Sequence, residues 1–398
     1  MRRKKLNMDK RIWLLAIAVF VVGTVEMVVT GIIDMIGTDL HVSVATVGQL
    51  LTVYSLVFAI GSPIIITLTS KVERKKLLMI AMIVFLVGNL LSIVSPNSAL
   101  LMVSRIVQAA SCSLIVVLSL TLASNIVSPE LKGRAIGTIF MGISASMMLG
   151  VPLGTWIGNL WGWRMTFGLI SVLTIIVTLF MLRYLPKVAP QPGVSLLNQL
   201  KTLKEPKILS AHFISIFQMT GQFTIYTYIT PFMHETMNLS PSTISLVLLV
   251  YGLGGIFGGW FGGWSSDKLG ASKTILITLL VHAVVVLTLP LAASLMFTFV
   301  LVIALWCAFN MAPSPAIQSY LIQTAPDSAD IQLSLNTSSL HIGLALGSMI
   351  GGFVINHYSV AINPLVGGII ILLSLIPAIY SMTRRIVTKT VKDHQQAS

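Results

Sequence analysis

Apolar residues along this chain gather into long runs rather than alternating with polar ones. Twelve runs can be drawn, at 12–36, 46–69, 77–94, 99–123, 135–158, 165–185, 208–232, 242–264, 274–292, 295–318, 332–355 and 364–382. Each has roughly the length a helix needs to cross a hydrocarbon layer about 30 Å thick. Backbone groups in lipid must find partners within their own segment, so helices are expected, and the short alternating segments of a membrane barrel are absent. The predicted fold class is therefore an all-α membrane protein with twelve transmembrane helices. The longest break, 186–207, holds Pro186, Pro190, Pro192 and Gly193 followed by Lys201, Lys204 and Lys207. It parts a bundle of six spans (1–185) from a second one (208–383), with a tail at 384–398.

Composition sharpens this picture. Hydrophobic residues make up 55% of the 398 and charged residues only 9%, a balance no soluble core accommodates. A net charge of +13 raises the question of nucleic acid, but its placement answers it. All but two of the 25 Lys and Arg fall on one side of the predicted spans, the exceptions being Arg105 and Arg164. That bias places both termini in the cytoplasm, so the basic surface is a topology signal and no nucleic-acid partner is expected. The basic N-terminus precedes a run too long for a signal peptide, which reads as an uncleaved first span. Trp13, Trp260 and Trp264 are expected at the inner headgroup level, and Trp161 and Trp163 at the outer one. Cys112 and Cys307 lie in separate spans and make neither a disulfide framework nor a metal site.

Within the first span, Glu26 sits near mid-membrane, with Thr30 and Asp34 following at i+4 and i+8 on one predicted face. An ionisable group at that depth costs several kcal/mol on insertion-type scales and normally faces a cavity. Proton carriage is the expected role of Glu26, and a buried ion pair is the structural alternative.

The two halves echo each other. Leu68-Thr-Ser70-Lys71-Val-Glu73-Arg74-Lys75 follows span 2, and Gly263-Trp-Ser-Ser-Asp267-Lys268-Leu-Gly270 follows span 8. Aligning Ser70 with Asp267 gives an offset of 197, about half the chain. Gly150, Pro152 and Gly154 in span 5 face Gly347, Gly351 and Gly352 in span 11. A tandem six-helix repeat is one design of membrane transporters.

These residues resemble the major facilitator superfamily. Its cytoplasmic motif between spans 2 and 3, G-x-L-x-D-R-x-G-R-K, is degenerate in the first copy, where Ile66, Ser70 and Glu73 replace Gly, Asp and Gly. Gly263, Asp267, Lys268 and Gly270 keep it in the second. Arg105-Ile-Val-Gln108-Ala109 is similar to the span-4 motif R-x-x-Q-G. Gly150-Val-Pro152-Leu-Gly154 resembles the Gly/Pro motif of antiporters, and Gly162-Trp-Arg164 opens span 6 as in twelve-span drug:proton antiporters. Within that branch, Ser104–Gly154 and Gln318–Gly352, including Asn336-Thr-Ser338, resemble the purine base and nucleoside efflux pumps of bacilli. Asp34 departs from them, since those relatives usually carry Pro there.

The resemblance implies two bundles rocking about a central cavity lined by spans 1, 4, 7 and 10, in a bacterial cell membrane. Glu26, Arg105, Asp34 and His341 are then the proton-coupling candidates, with Arg105 expected near Glu26. Thr30, Gln218, Gln222, Tyr226, Trp306 and Asn310 are the substrate candidates, able to stack a planar ring and pair its edges. The substrate residues equally read as interhelical glue. Gly150, Pro152 and Gly154, with Asp267 and Lys268, are the gating candidates, while seven glycines between Gly252 and Gly263 read as a packing face. His282 and His212 read as structural. No metallo- or serine-hydrolase motif appears, so no enzyme is expected. The expected function is proton-coupled export of purine bases or nucleosides by a monomer, powered by the proton gradient without a cofactor. A drug, sugar or amino-acid exporter and an uncoupled facilitator remain alternatives.

Overall fold

In the computed structural model, residues 9–69, 71–128, 131–189 and 201–384 are described. Ser70, half of the predicted linker (190–200) and nearly all of the tail lie outside them. Helices fill the described chain: α1 (Lys10–Gly31), α2 (Ile33–Asp39), α3 (Val44–Leu68), α4 (Arg74–Ile93), α5 (Ser98–Ile126), α6 (Lys132–Trp161) and α7 (Trp163–Tyr184). The second half has α8 (Pro206–Tyr226), α9 (Ile229–Met237), α10 (Pro241–Leu269), α11 (Ala271–Ala292), α12 (Met296–Met311), α13 (Pro313–Thr324), α14 (Ala329–His357), α15 (Asn363–Leu373) and α16 (Leu375–Thr383). Among the described residues, eleven stretches are long and apolar enough to span a bilayer. The remaining crossing is α8 with α9. Its His212, Gln218 and Gln222 dilute the hydropathy, and all three are buried, shielded from lipid by the protein.

Several predicted spans are broken. Span 1 bends at Ile32 into α2, span 7 breaks at Thr227–Tyr228, and span 10 breaks at Ala312 ahead of Pro313. Such breaks survive where neighbouring helices cover the freed backbone. The break at Ile32 also ends the predicted acid-and-hydroxyl stripe, because Asp34 belongs to α2 and does not continue the face of Glu26 and Thr30.

In the first half α1 lies against α5, α6 and α7, and α4 against α5 and α7. In the second, α8 packs on α14 and α15, and α10 on α12. The halves meet where α3 lies along α14 and α6 along α10, so one apolar core runs through both. The outer surface stays apolar, with Ile83, Phe180, Leu246, Phe257 and Phe297 exposed as lipid contact requires.

The glycine-rich face of α10 is a packing seam. A Cβ on Gly254, Gly258 or Gly262 would come within 2.2, 2.0 and 2.1 Å of the carbonyl oxygens of Ala304, Ala308 and Ala312. Backbone-to-backbone approach at every turn is the small-residue mode of membrane helix packing. Gly258→Leu should therefore force α10 from α12 and destabilise the protein by at least about 2 kcal/mol. Thermal unfolding in detergent followed by size-exclusion chromatography would show it, and an unchanged melting temperature would refute the seam.

The degenerate loop motif has its own physical logic. Gly270 turns the corner between α10 and α11 at φ +84°. At the matching corner Glu73 caps α4 instead, accepting from the amides of Lys75 and Lys76 and from that of Val188 beyond α7. Lys75 Nζ donates to the carbonyls of Leu182 and Leu185 that end α7. The first copy thus ties α4 to α7.

Trp13, Trp161, Trp260 and Trp264 are exposed, whereas Trp163 is buried and donates its indole N–H to Asp39. Its place is a clip, not an aromatic belt. Arg164 donates to the same Asp39 carboxylate and to Ser95 O, and stacks on the Trp163 ring. The Arg164 and Trp163 donors hold the Asp39 carboxyl below its ordinary value. A depressed carboxylate stabilises the fold above its unfolded pKa of about 4 and loses that contribution as pH falls through the lower folded value. The melting-temperature difference between wild type and Asp39→Asn should be constant from neutral pH to about pH 4 and shrink below it. A difference that instead vanished between pH 7 and 5 would contradict the clip.

Candidate functional site

A cavity of about 410 Å³ lies between the halves. Its walls come from α1 (Val19, Gly23, Glu26, Met27), α3 (Phe58), α5 (Cys112 to Leu120), α6 (Ile136 to Ser146), α8 (Met219, Phe223), α13 (Gln318) and α14 (Leu333 to Leu344). Ile136 and Leu333 lie in the first turns of α6 and α14, so the cavity reaches toward the end of the molecule where the described chain begins and ends.

The opposite end is shut by the break between α8 and α9. Tyr228 is fully buried, and its hydroxyl donates to Ser348 O at 2.8 Å. The ring fills a notch made by glycines of both halves. A Cβ on Gly48 of α3 would lie 1.9 Å from the Tyr228 hydroxyl, and one on Gly351 of α14 would lie 2.7 Å from the ring. Nearby, Thr230 Oγ1 donates to Thr30 O, joining α9 to α1 across the halves at 3.1 Å.

At the inner end of the cavity, Glu26 Oε1 and His341 Nδ1 face each other at 3.2 Å. Glu26 comes from the first half and His341 from the second, and both reach the cavity wall. Phe58 stacks on the imidazole at 3.8 Å between centroids. One turn along α14, Ser338 Oγ donates to Ala59 O of α3. The two atoms lie within ion-pair distance, a charged pair when the imidazole is protonated, and neither has a hydrogen-bond partner among the described residues.

Arg105 does not pair with the Glu26 carboxylate. Its guanidinium donates to Val25 O at 2.8 Å, to Gln108 Oε1 at 2.9 Å and, more weakly, to Glu26 O at 3.4 Å, and it stacks over Tyr54. Gln108 in turn donates to Asn89 and Ser92. A buried arginine needs acceptors, and here main-chain carbonyls of α1 with Gln108 Oε1 serve its terminal nitrogens, while Nε has no partner among the described residues. Its geometric effect is to fix the backbone that presents Glu26.

The predicted substrate set lies elsewhere. Gln218, Gln222 and Tyr226 share one face of α8, but that face turns into the second half rather than to the cavity. Gln218 donates to Asn310 O, and Gln222 Nε2 donates to the Tyr251 hydroxyl. Gln222 Oε1 accepts from Trp306 Nε1 at 2.7 Å and meets His282 Nε2 at 3.2 Å. Tyr226, Tyr251 and Trp306 complete an aromatic cluster. All six predicted positions, Thr30 included, are buried and off the cavity wall. The Gln222 carboxamide is paired at both ends on α10, α11 and α12, whereas Gln218 pairs through Nε2 on α12 and its buried Oε1 has no hydrogen-bond partner among the described residues. The α8 residues that do reach the cavity, Met219 and Phe223, are apolar.

Among the gating candidates, a Cβ on Gly150 or Gly154 would press on Met27 and Val28, so this motif seats α6 on α1 within one half. Pro152 is half-buried in the same helix. Asp267 and Lys268 are exposed in the last turn of α10, with no ion pair to either among the described residues. Asp34 lies beyond the cavity on α2.

Of α14 the candidate list holds only His341. Ser334, Thr337, Ser338 and His341 recur at i, i+3, i+4 and i+7, a polar stripe visible in the sequence of an otherwise apolar span. This helix is span 11, outside the lining by spans 1, 4, 7 and 10 that the resemblance implied.

Two helical halves meeting over a cavity that is shut at one end are the build of a membrane transporter for small solutes. The chain belongs to the Major Facilitator Superfamily, whose family model matches residues 15–328 and again 208–397. It is 33% identical over 369 residues to an uncharacterized MFS-type transporter, YbcL, of Bacillus subtilis (strain 168), covering 93% of this chain and 95% of that one. It is 29% identical over 365 residues to a probable sugar efflux transporter of Helicobacter pylori (strain G27), covering 92% and 93%. Its fold is similar to an inward-facing, unoccupied bacterial homolog of the human lysosomal transporter Spinster, with TM-score 0.75 and 15% identity over 94% of this chain and 96% of that one. It is also similar to a D-xylose–proton symporter, with TM-score 0.74 and 16% identity over 94% and 97%.

Proposed function

We propose that this transporter exports purine bases or nucleosides across the cell membrane in exchange for protons, with both termini in the cytoplasm. The observation that carries the coupling is the Glu26–His341 contact, an acid from one half and a histidine from the other, meeting at the cavity wall. The contact holds a proton while the halves are closed around it. Rocking the halves apart separates its members and changes the affinity of the site for that proton. Solute and proton then favour different states, which is the thermodynamic content of exchange.

Cavity volume and chemistry support the substrate class. About 410 Å³ accommodates a purine or its nucleoside, and Phe58, Phe140 and Phe223 offer ring surfaces beside a polar stripe. The name of the Helicobacter pylori relative favours a second reading, a sugar. A sugar presents hydroxyls on all sides, whereas the α5 and α6 walls offer mainly Val116, Val117, Leu120, Ile136, Phe140 and Ile143. Inside-out vesicles with an imposed gradient, acid inside, decide between them. Uptake of labelled hypoxanthine, adenine or guanosine that collapses with a proton uncoupler is expected. Gradient-driven uptake of a pentose or hexose without any purine would replace this reading with the sugar one. Purine uptake that ignored the gradient would remove the coupling.

A further inference from the structure

The cavity has one polar wall and one apolar wall, and they come from different halves. Most of its hydrogen-bonding side chains lie on α14, with Gln318 of α13 beside them. The facing α5 and α6 contribute a predominantly aliphatic and aromatic surface. Helix α8, expected to carry the substrate amides, offers only Met219 and Phe223, and α12 contributes nothing to the lining among the described residues.

The side chains of α14 are not equally free. Ser338 is engaged with Ala59 O, and Thr337 Oγ1 donates within its own helix to Leu333 O. Asn336 accepts from Ser215 Oγ through Oδ1 at 2.6 Å. That bond fixes the amide's orientation and leaves its NH₂ as the group it offers to a partner. Ser334 is exposed at the cavity, one turn from Ser338.

We propose that α14 is the specificity wall of this transporter, with the Asn336 amide donating to the acceptor edge of a flat solute whose apolar face rests on α5 and α6. This rests on the cavity being the transport site and adds which helix reads the solute. Ligands with acceptors along one edge fit it, and ligands polar all round do not. A donor held in place by Ser215 loses little freedom on binding, so it discriminates by hydrogen bonding rather than by bulk.

The test uses purified full-length protein in detergent and binding of hypoxanthine beside indole, a bicycle of similar size without acceptors on its edge. Asn336→Ala should weaken hypoxanthine about tenfold and leave indole within twofold. Ser215→Ala removes the same internal bond without touching the cavity, and should change hypoxanthine binding by less than Asn336→Ala. Equal losses in the two variants, or equal losses for both ligands, would reduce Asn336 to a structural residue and overturn the proposal. A second measurement probes the same wall. Thr337→Cys, in a background with Cys112 and Cys307 replaced by Ala, should react with N-ethylmaleimide, and transported solute should slow that reaction. Protection by a sugar instead of hypoxanthine would overturn the wall together with the purine reading, since a solute polar all round is what this wall should not read. Failure of every gradient-driven solute to protect would end the wall while leaving transport intact.

Discussion

Glu26→Gln should abolish uphill purine uptake in acid-inside inverted vesicles, lowering the initial rate by at least about 100-fold. The carboxamide keeps the size of the side chain and its place on α1, but it cannot bind and release a proton. The Glu26–His341 contact at 3.2 Å would become an ordinary hydrogen bond indifferent to the gradient. Solute binding and the rocking of the halves do not require that proton, so counterflow of labelled against unlabelled hypoxanthine should persist within severalfold of wild type. The contrast between the two assays is what assigns the residue to coupling. Loss of both would make Glu26 a structural or binding residue, and retention of uphill uptake would remove it from the mechanism. Arg105 gives a useful comparison. Because its bonds go to Val25 O and Glu26 O, Arg105→Lys should disturb the presentation of Glu26 and slow both assays together.

Tyr228→Ala should open the shut end of the cavity. In the closed state its ring is fully buried in the notch of Gly48, Gly351 and Gly352, and its hydroxyl is bonded to Ser348 O. Truncating a buried aromatic costs about 3–5 kcal/mol, and here the cost falls on the state in which the notch is formed. A loss of that size on one state alone moves the balance between states by at least about 100-fold. Spin labels at exposed Thr38 of α2 and Glu235 of α9 would report it, since those helices approach each other across the halves at that end. The short-distance population should dominate in wild type and give way to a longer one in Tyr228→Ala. Gly48→Leu should act in the same direction by filling the notch from the other side. An unchanged distance distribution in both variants would show that the shut end is held elsewhere.

Membrane crossing, helical class and the position of Glu26 were all legible in the sequence, and the reason is physical. Lipid forces each span to be apolar and to satisfy its own backbone, so run length alone announces the helices. The same constraint makes an acid in mid-span conspicuous. The glycine face of α10 was legible for a related reason, since small residues every fourth position have little purpose except close approach.

Which polar side chains meet was decided only in three dimensions. Gln218, Gln222 and Asn310 lie on helices expected around the cavity, yet one step of about 100° around α8 separates the face that carries Gln222 from the one that carries Phe223. Sequence periodicity groups residues onto a face but does not say which neighbour the face meets. Asp34 was placed in line with Glu26 by an unbroken helix that the chain does not form. His341 is 315 residues from Glu26, and their meeting depends on how α14 lies along α3. The sequence by itself determined what must be buried and what must be in the membrane, because those follow from each segment's own solvation. The tertiary structure alone decided which buried polar groups satisfy one another and which are left facing the cavity, because that depends on packing between segments far apart in the chain.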